Sequence, residues 1–177
     1  TYTKTDDGEP IWIKTAAERE EKKDKAIKSF IDEIASSIPK VPAKKKPKDK
    51  PSQDLCPVCV IGDAHIGMSV SAEITKERSF NSAIASQEIK DAVSSLVESA
   101  PRSKQGILIN VGDFIHMDRT APFAQTTKGT PVDTDGSLDY ILRVACQTMI
   151  YAIDRFLDKV DKLEVVTARG NHDSSLA

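Results

Sequence analysis

Three apolar runs, each closing on a short polar motif, punctuate the chain between residues 55 and 173. Residues 55–62 are rich in Val and Ile and break at Gly62-Asp63-Ala64-His65. Residues 106–111 are apolar apart from Asn110 and break at Gly112-Asp113, and residues 163–168 break at Arg169-Gly170-Asn171-His172-Asp173. Continuous apolar runs of this length bounded by glycine predict buried strands. Between them the period changes. Over 81–100, Ile84, Ile89, Ala92, Val93, Leu96 and Val97 recur at helical spacing and stop at Pro101. Over 138–160, Leu138, Ile141, Leu142, Ala145, Met149, Ala152, Ile153, Phe156 and Val160 trace the strongest helical stripe in the chain. The order β-α-β-α-β predicts an α/β domain, because right-handed crossovers build a parallel sheet with helices covering it.

Upstream the pattern differs. Ala26, Ile27, Phe30, Ile31, Ile34 and Ile38 give an amphipathic helix within 16–38 that ends at Pro39. Residues 40–50 then carry Lys40, Lys44, Lys45, Lys46, Lys48 and Lys50 with Pro42 and Pro47, a composition that forms no core and reads as an extended, solvated linker. A basic arm meeting nucleic-acid phosphates is the functional alternative. The expected organisation is an N-terminal helical extension (1–39), a Lys/Pro-rich linker (40–54) and a main domain (55–177).

Composition sharpens this picture in three ways. At 39% hydrophobic and 29% charged over 177 residues the sequence is that of a globular protein. No apolar stretch approaches the roughly 18 residues a membrane span needs, so no membrane partner is expected. The chain opens on Thr1 with no basic-then-apolar leader, and it reads as a fragment at both ends. The formal net charge of -2 does not decide between partners, since a local patch can sit within a balanced total. Three cysteines suggest a reduced, cytoplasmic setting. Cys56 and Cys59 have C-x-x-C spacing but lack the further ligands of a zinc site, and they read as small hydrophobes at the strand entrance.

The chemistry lies at the strand ends. In a parallel sheet the residues just past each strand share one edge, where open α/β sheets bind ligands. Asp63, His65, Asp113, Asn171 and His172 fall there, and carboxylate, imidazole and amide oxygen suit borderline divalent ions. Two ions roughly 3.5–4 Å apart need a shared anionic ligand, for which Asp113 on the middle strand is placed. Gly62, Gly112 and Gly170 are expected to let the backbone turn sharply and approach such ions. Residues 62–67 carry two glycines but no following Lys-Ser/Thr, which excludes a nucleotide P-loop. The long polar loop 118–136 invites a functional role. In it Asp118, Asp133 and Asp135 read as turn and helix-start residues or outer partners of the site, and Arg119 and Lys128 as solvated charges or phosphate contacts.

These motifs resemble those of the calcineurin-like metallophosphoesterase superfamily over residues 55–177, whose pattern runs Asp-x-His, Gly-Asp, Gly-Asn-His-Asp/Glu, then a later His and a Gly-His-x-His. The resemblance implies a sheet that is the first half of a β-sandwich flanked by helices. It also implies two divalent ions, manganese foremost with magnesium, iron or zinc as alternatives. Asp63 and His65 would hold the first ion, Asp113 would bridge and Asn171 would hold the second. His172 would face the substrate and stabilise or protonate the leaving oxygen, with Asp173 orienting its imidazole. Gly112-Asp113-Phe114-Ile115-His116 further resembles the DNA-repair nuclease branch and a group of phage phosphoesterases, which adds His116 to the catalytic set and points to DNA as substrate.

The chain departs from that pattern in its histidines. His65, His116 and His172 are the only three, so the later ligands are absent. The expectation is a partial site, weakly binding and of low activity alone, completed by a missing C-terminal half or a partner subunit. The inner apolar face of the sheet should likewise stand uncovered. Phosphomonoesterase or protein-phosphatase activity on the same scaffold, and a non-catalytic interaction module built on the 16–38 helix, are the alternatives.

Overall fold

The computed structural model describes residues 2–4, 10–12, 25, 28–29, 32–36, 50–118, 120 and 123–174. The chain divides into two compact units, 1–40 and 41–177.

In the first unit, β1 (Tyr2–Lys4) pairs antiparallel with β2 (Pro10–Trp12), Tyr2 opposite Trp12. Helical expectation over 1–39 did not anticipate this ribbon. Asp7-Gly8, a hairpin-turn dipeptide between the two strands, was the available signal. Residues 25, 28–29 and 32–36 are helical, and Ile34 is buried while its described neighbours are exposed, as an amphipathic helix requires. The rest of the 16–38 stripe and the lysine-rich segment up to Asp49 lie outside the described residues.

The second unit is α/β. Its sheet is parallel, of β3 (Val58–Ile61), β4 (Ser103–Asn110) and β5 (Val160–Thr167), in the order β3-β4-β5. Asn110 aligns with Ile61 on one side and Thr167 on the other, so all three strands finish at the same level. β3 begins later than the apolar run because Pro57 has no N–H to give the ladder, although its carbonyl accepts from Ile107 at 3.0 Å. β4 and β5 begin earlier than their apolar runs. Ser103 pairs with Val160, since ladder hydrogen bonds need no apolar side chain.

A single turn, α1 (Ala72–Thr75), was not foreseen; it closes on Lys76 in the left-handed region. The crossovers carry α2 (Ser82–Ser99) and α3 (Leu138–Leu157). Asn81 caps α2 by accepting from Ile84 N at 2.9 Å, and Ser137 caps α3 by accepting from Tyr140 N at 3.3 Å. The helices meet through Val93 and Val97 on one and Ile141, Ala145 and Ala152 on the other, all buried in one core with Cys59 and Leu108 of the sheet. A buried Ser86–Thr148 hydrogen bond of 2.6 Å joins them, with Thr148 Oγ1 donating in turn to Val144 O. Phe156 of α3 packs against the Cα of Gly106, where a Cβ would lie 2.7 Å from its ring.

The opposite sheet face is open. Val58 and Val60 are 54% and 58% exposed, and their ladder neighbours Ile107 and Ile109 are half-buried. Among the described residues no helix is long and apolar enough to cross a membrane. The cysteines are free, and burial raises the Cys59 and Cys146 thiols above their ordinary range.

Candidate metal centre

Parallel pairing continues past the strands. His65 N donates to Asp113 O at 2.9 Å, Ile66 N to Phe114 O at 3.0 Å and His116 N to Ile66 O at 2.9 Å. Ile66, Phe114 and Ile115 are buried beneath these turns, so the loops after β3 and β4 are anchored by core side chains while Asp63, His65 and Asp113 keep some exposure. The local backbone is unusual. Among the described residues four other than glycine have left-handed φ, and three of them are Asp63 (49°), His65 (44°) and Asp113 (52°), the fourth being Lys76. A side chain with a Cβ in this region costs about 1 kcal/mol, and such residues gather where function over-determines the backbone.

The loop after β5 is fastened to the other two by carboxylates. His172 N donates to Asp113 Oδ1 at 2.7 Å. Asp173, 1% exposed, accepts from Phe114 N at 2.8 Å and Ile115 N at 3.3 Å through Oδ2, and from Gly170 N at 2.9 Å through Oδ1. This corrects the expected role of Asp173. Its carboxylate holds backbone amides together, and the His172 imidazole is oriented instead by the His116 carbonyl, which accepts from Nδ1 at 2.8 Å. The glycines also divide differently from expectation. Gly112 has φ +102°, but Gly62 and Gly170 do not lie in the left-handed region. Gly170 is needed for close approach, because a Cβ there would strike Asp113 Oδ1 and N.

Two groups of ligand atoms result. Asp63, His65 and Asp113 each offer an atom within 4.8 Å of the others, and so do His65, His116 and His172. Asp63 is exposed and His65, Asp113 and His172 are half-buried, whereas His116 is buried. Burial, followed by the neighbouring His65 and His172, lowers the His116 imidazole to about 4 despite the opposing pull of Asp113 and Asp133. Burial, then His172, lowers His65 in the same direction against the pull of Asp113, Asp63 and Asp173. Both rings are therefore neutral at physiological pH, the state in which imidazole ligates a metal.

Asn171 is exposed beside this centre, and its carbonyl accepts from Thr127 N at 3.0 Å. Thr127 Oγ1 is buried without a hydrogen-bond partner. The long loop thus reaches the third motif by its backbone. Asp135 instead accepts from Ser82 N and Oγ, both at 2.7 Å, tying the loop to the start of α2. Asp118 is buried, its amide donating to Gln125 O at 2.8 Å. Asp133 is the one that reaches the site, through its charge on His116. Lys128 is exposed, and Arg119 lies outside the described residues.

The donor set of carboxylates and neutral imidazoles suits divalent ions of the manganese-to-zinc series. Compared with family models, curated proteins and solved structures, the chain gives no match.

Proposed function

We propose that the protein is a divalent-metal-dependent phosphoesterase hydrolysing phosphodiester bonds, a DNA nuclease of the calcineurin-like kind whose parallel sheet is the first half of a two-sheet sandwich. The observation that carries the proposal is the convergence of Asp63, His65 and Asp113 at the sheet edge, each on a left-handed backbone. Ordinary solvated carboxylates give no reason for three such conformations in one place.

In this reading Asp63 and His65 would hold one ion, Asn171 would contribute its amide oxygen to a second, and Asp113 would be shared by both. Manganese fits the mixed oxygen and nitrogen donors. When bound, such a pair supplies Lewis acidity toward a phosphoryl oxygen and a water of lowered pKa. All three histidines lie at this edge, so any further ligand is a carboxylate, a water or another polypeptide segment.

The remaining steps belong to the side chains. The carbonyl of His116 can only accept, so His172 Nδ1 carries the proton and Nε2 is the nitrogen that exchanges one with the leaving oxygen. Asp113 Oδ1 fixes the main chain of His172, which sets where the imidazole can reach. In the same reading His116 would act beside it on the substrate, the role the resemblance implies.

The test is hydrolysis of a chromogenic phosphodiester with manganese, alongside the matching monoester. Slow diester turnover that Asp113→Asn abolishes is expected. His172→Ala should lower turnover with manganese affinity preserved, because its role lies in the transition state. Preference for the monoester, or turnover unchanged in Asp113→Asn, contradicts the proposal.

A further inference from the structure

The three imidazoles of the chain form a cluster of their own. His65 Nδ1 and His116 Nδ1 are 3.1 Å apart, and the His65 ring stands edge-on to both His116 and His172, with centroids 5.0 and 4.7 Å away. His116 and His172 are stacked at 4.9 Å. One ring nitrogen from each lies within 4.8 Å of the other two.

The geometry points to a second mode of metal binding, in which His65, His116 and His172 together hold a single zinc-class ion. Four ligands about 2.05 Å from a tetrahedral zinc are separated from each other by roughly 3.3 Å. The His65–His116 pair already has nearly that spacing. The ligand nitrogen of His172 lies within 4.8 Å of the other two, so reaching that spacing asks of it a shift of no more than about 1.5 Å. The nitrogen each ring presents follows from its other contacts. With Nδ1 of His172 donating to a carbonyl, its lone pair is on Nε2. His65 and His116 direct Nδ1 at one another, an arrangement in which one must donate to the other unless an ion accepts from both.

The main chain of every ligand is fixed in advance. His65 N bonds Asp113 O, His116 N bonds Ile66 O and His172 N bonds Asp113 Oδ1. Little order is left to be imposed by the ion. The Nδ1 contact of His172 is also the kind of outer hydrogen bond that sets a ligand's tautomer.

The ion class follows from the donors. Three neutral nitrogens and an open fourth position favour zinc, cobalt, nickel or copper over magnesium and manganese, which prefer oxygen. Because His65 belongs to both groups, a zinc-class ion here competes with the ion held by Asp63 and Asp113. The assignment does not depend on the hydrolytic reading; if that reading holds, the tri-histidine ion also engages His172 and inhibits.

The test is titration of the chain with cobalt(II), followed by its visible spectrum, and with zinc, followed by calorimetry. Expected are one equivalent bound with the intense bands of tetrahedral cobalt, and an affinity that falls by about 100-fold or more in His116→Ala and in His172→Ala, since losing a ligand costs at least as much as losing an outer-shell partner. Circular dichroism identifies a variant that fails to fold, and the half-buried His172 provides the second variant if the buried His116 does not tolerate replacement. Asp63→Asn should change the affinity by less than about 3-fold, since it removes no imidazole. Pale, octahedral cobalt in the wild-type chain, or binding lost in Asp63→Asn and kept in His172→Ala, overturns the assignment. Manganese-dependent hydrolysis is scored separately, so either reading can fail while the other stands.

Discussion

His172 N donates to Asp113 Oδ1 at 2.7 Å, across 59 residues of sequence. Asp113 thereby orients the third loop through one oxygen while its carboxylate also stands among the ligand atoms of Asp63 and His65. The second and third strand ends therefore behave as one unit, and a change at either should be felt at both.

Gly170 is where that unit is tightest, since a Cβ there would collide with Asp113 Oδ1 and with its backbone N. Gly170→Ala should displace the carboxylate, cost about 2 kcal/mol from overpacking and weaken manganese binding. Urea denaturation with a parallel metal titration measures both, and a variant indistinguishable from wild type would show that the approach is looser than described.

Asp173 should behave as a structural residue. Replacing it by Ala leaves the buried amides of Phe114 and Ile115 and the half-buried amide of Gly170 without their acceptor. At about 1–3 kcal/mol for each unsatisfied group, partly relieved by water, a loss on the order of 3 kcal/mol is expected. Equilibrium unfolding checks it, and a loss of activity with unchanged stability would instead return Asp173 to a role at the imidazole.

The histidine cluster makes the metal-free protein acid-sensitive. His116 titrates near 6.5 when unfolded but at about 4 when folded. Between these values the unfolded chain binds more protons, so stability rises with pH. This contribution is complete above about pH 6.5 and is lost as pH falls toward 4, a difference on the order of 3 kcal/mol. His65 is shifted in the same direction and adds to it. Unfolding midpoints at several pH values, with His116→Gln as reference, should show wild type losing more stability on acidification. Parallel pH profiles for the two would contradict the effect.

Much of this was legible in the sequence because it rests on local signals. Helical spacing closed by Pro101 marked α2, the apolar stripe from Leu138 marked α3, and glycine after each apolar run marked the shared edge that gathers Asp63, His65 and Asp113. The uncovered face with Val58 and Val60 was expected from the resemblance, in which a second sheet packs on the first. What could not be read depends on distant partners. The acceptors and donors around Asp173 lie up to 59 residues apart, and nothing in the motif distinguishes a carboxylate bonded to amides from one bonded to an imidazole. Association of the three histidines likewise follows from turns whose left-handed φ falls on Asp63, His65 and Asp113, residues that lack glycine's freedom. The hairpin Tyr2–Lys4 with Pro10–Trp12 and the turn Ala72–Thr75 are too short for periodicity to reveal.

The most direct measurement is calorimetric titration of the metal-free chain with manganese, wild type against Asp113→Asn. Binding to the wild type that weakens by more than about 10-fold in the variant, as loss of a ligand requires, is the predicted result. Superimposable isotherms, or no heat in either, would contradict a metal centre built on Asp63, His65 and Asp113.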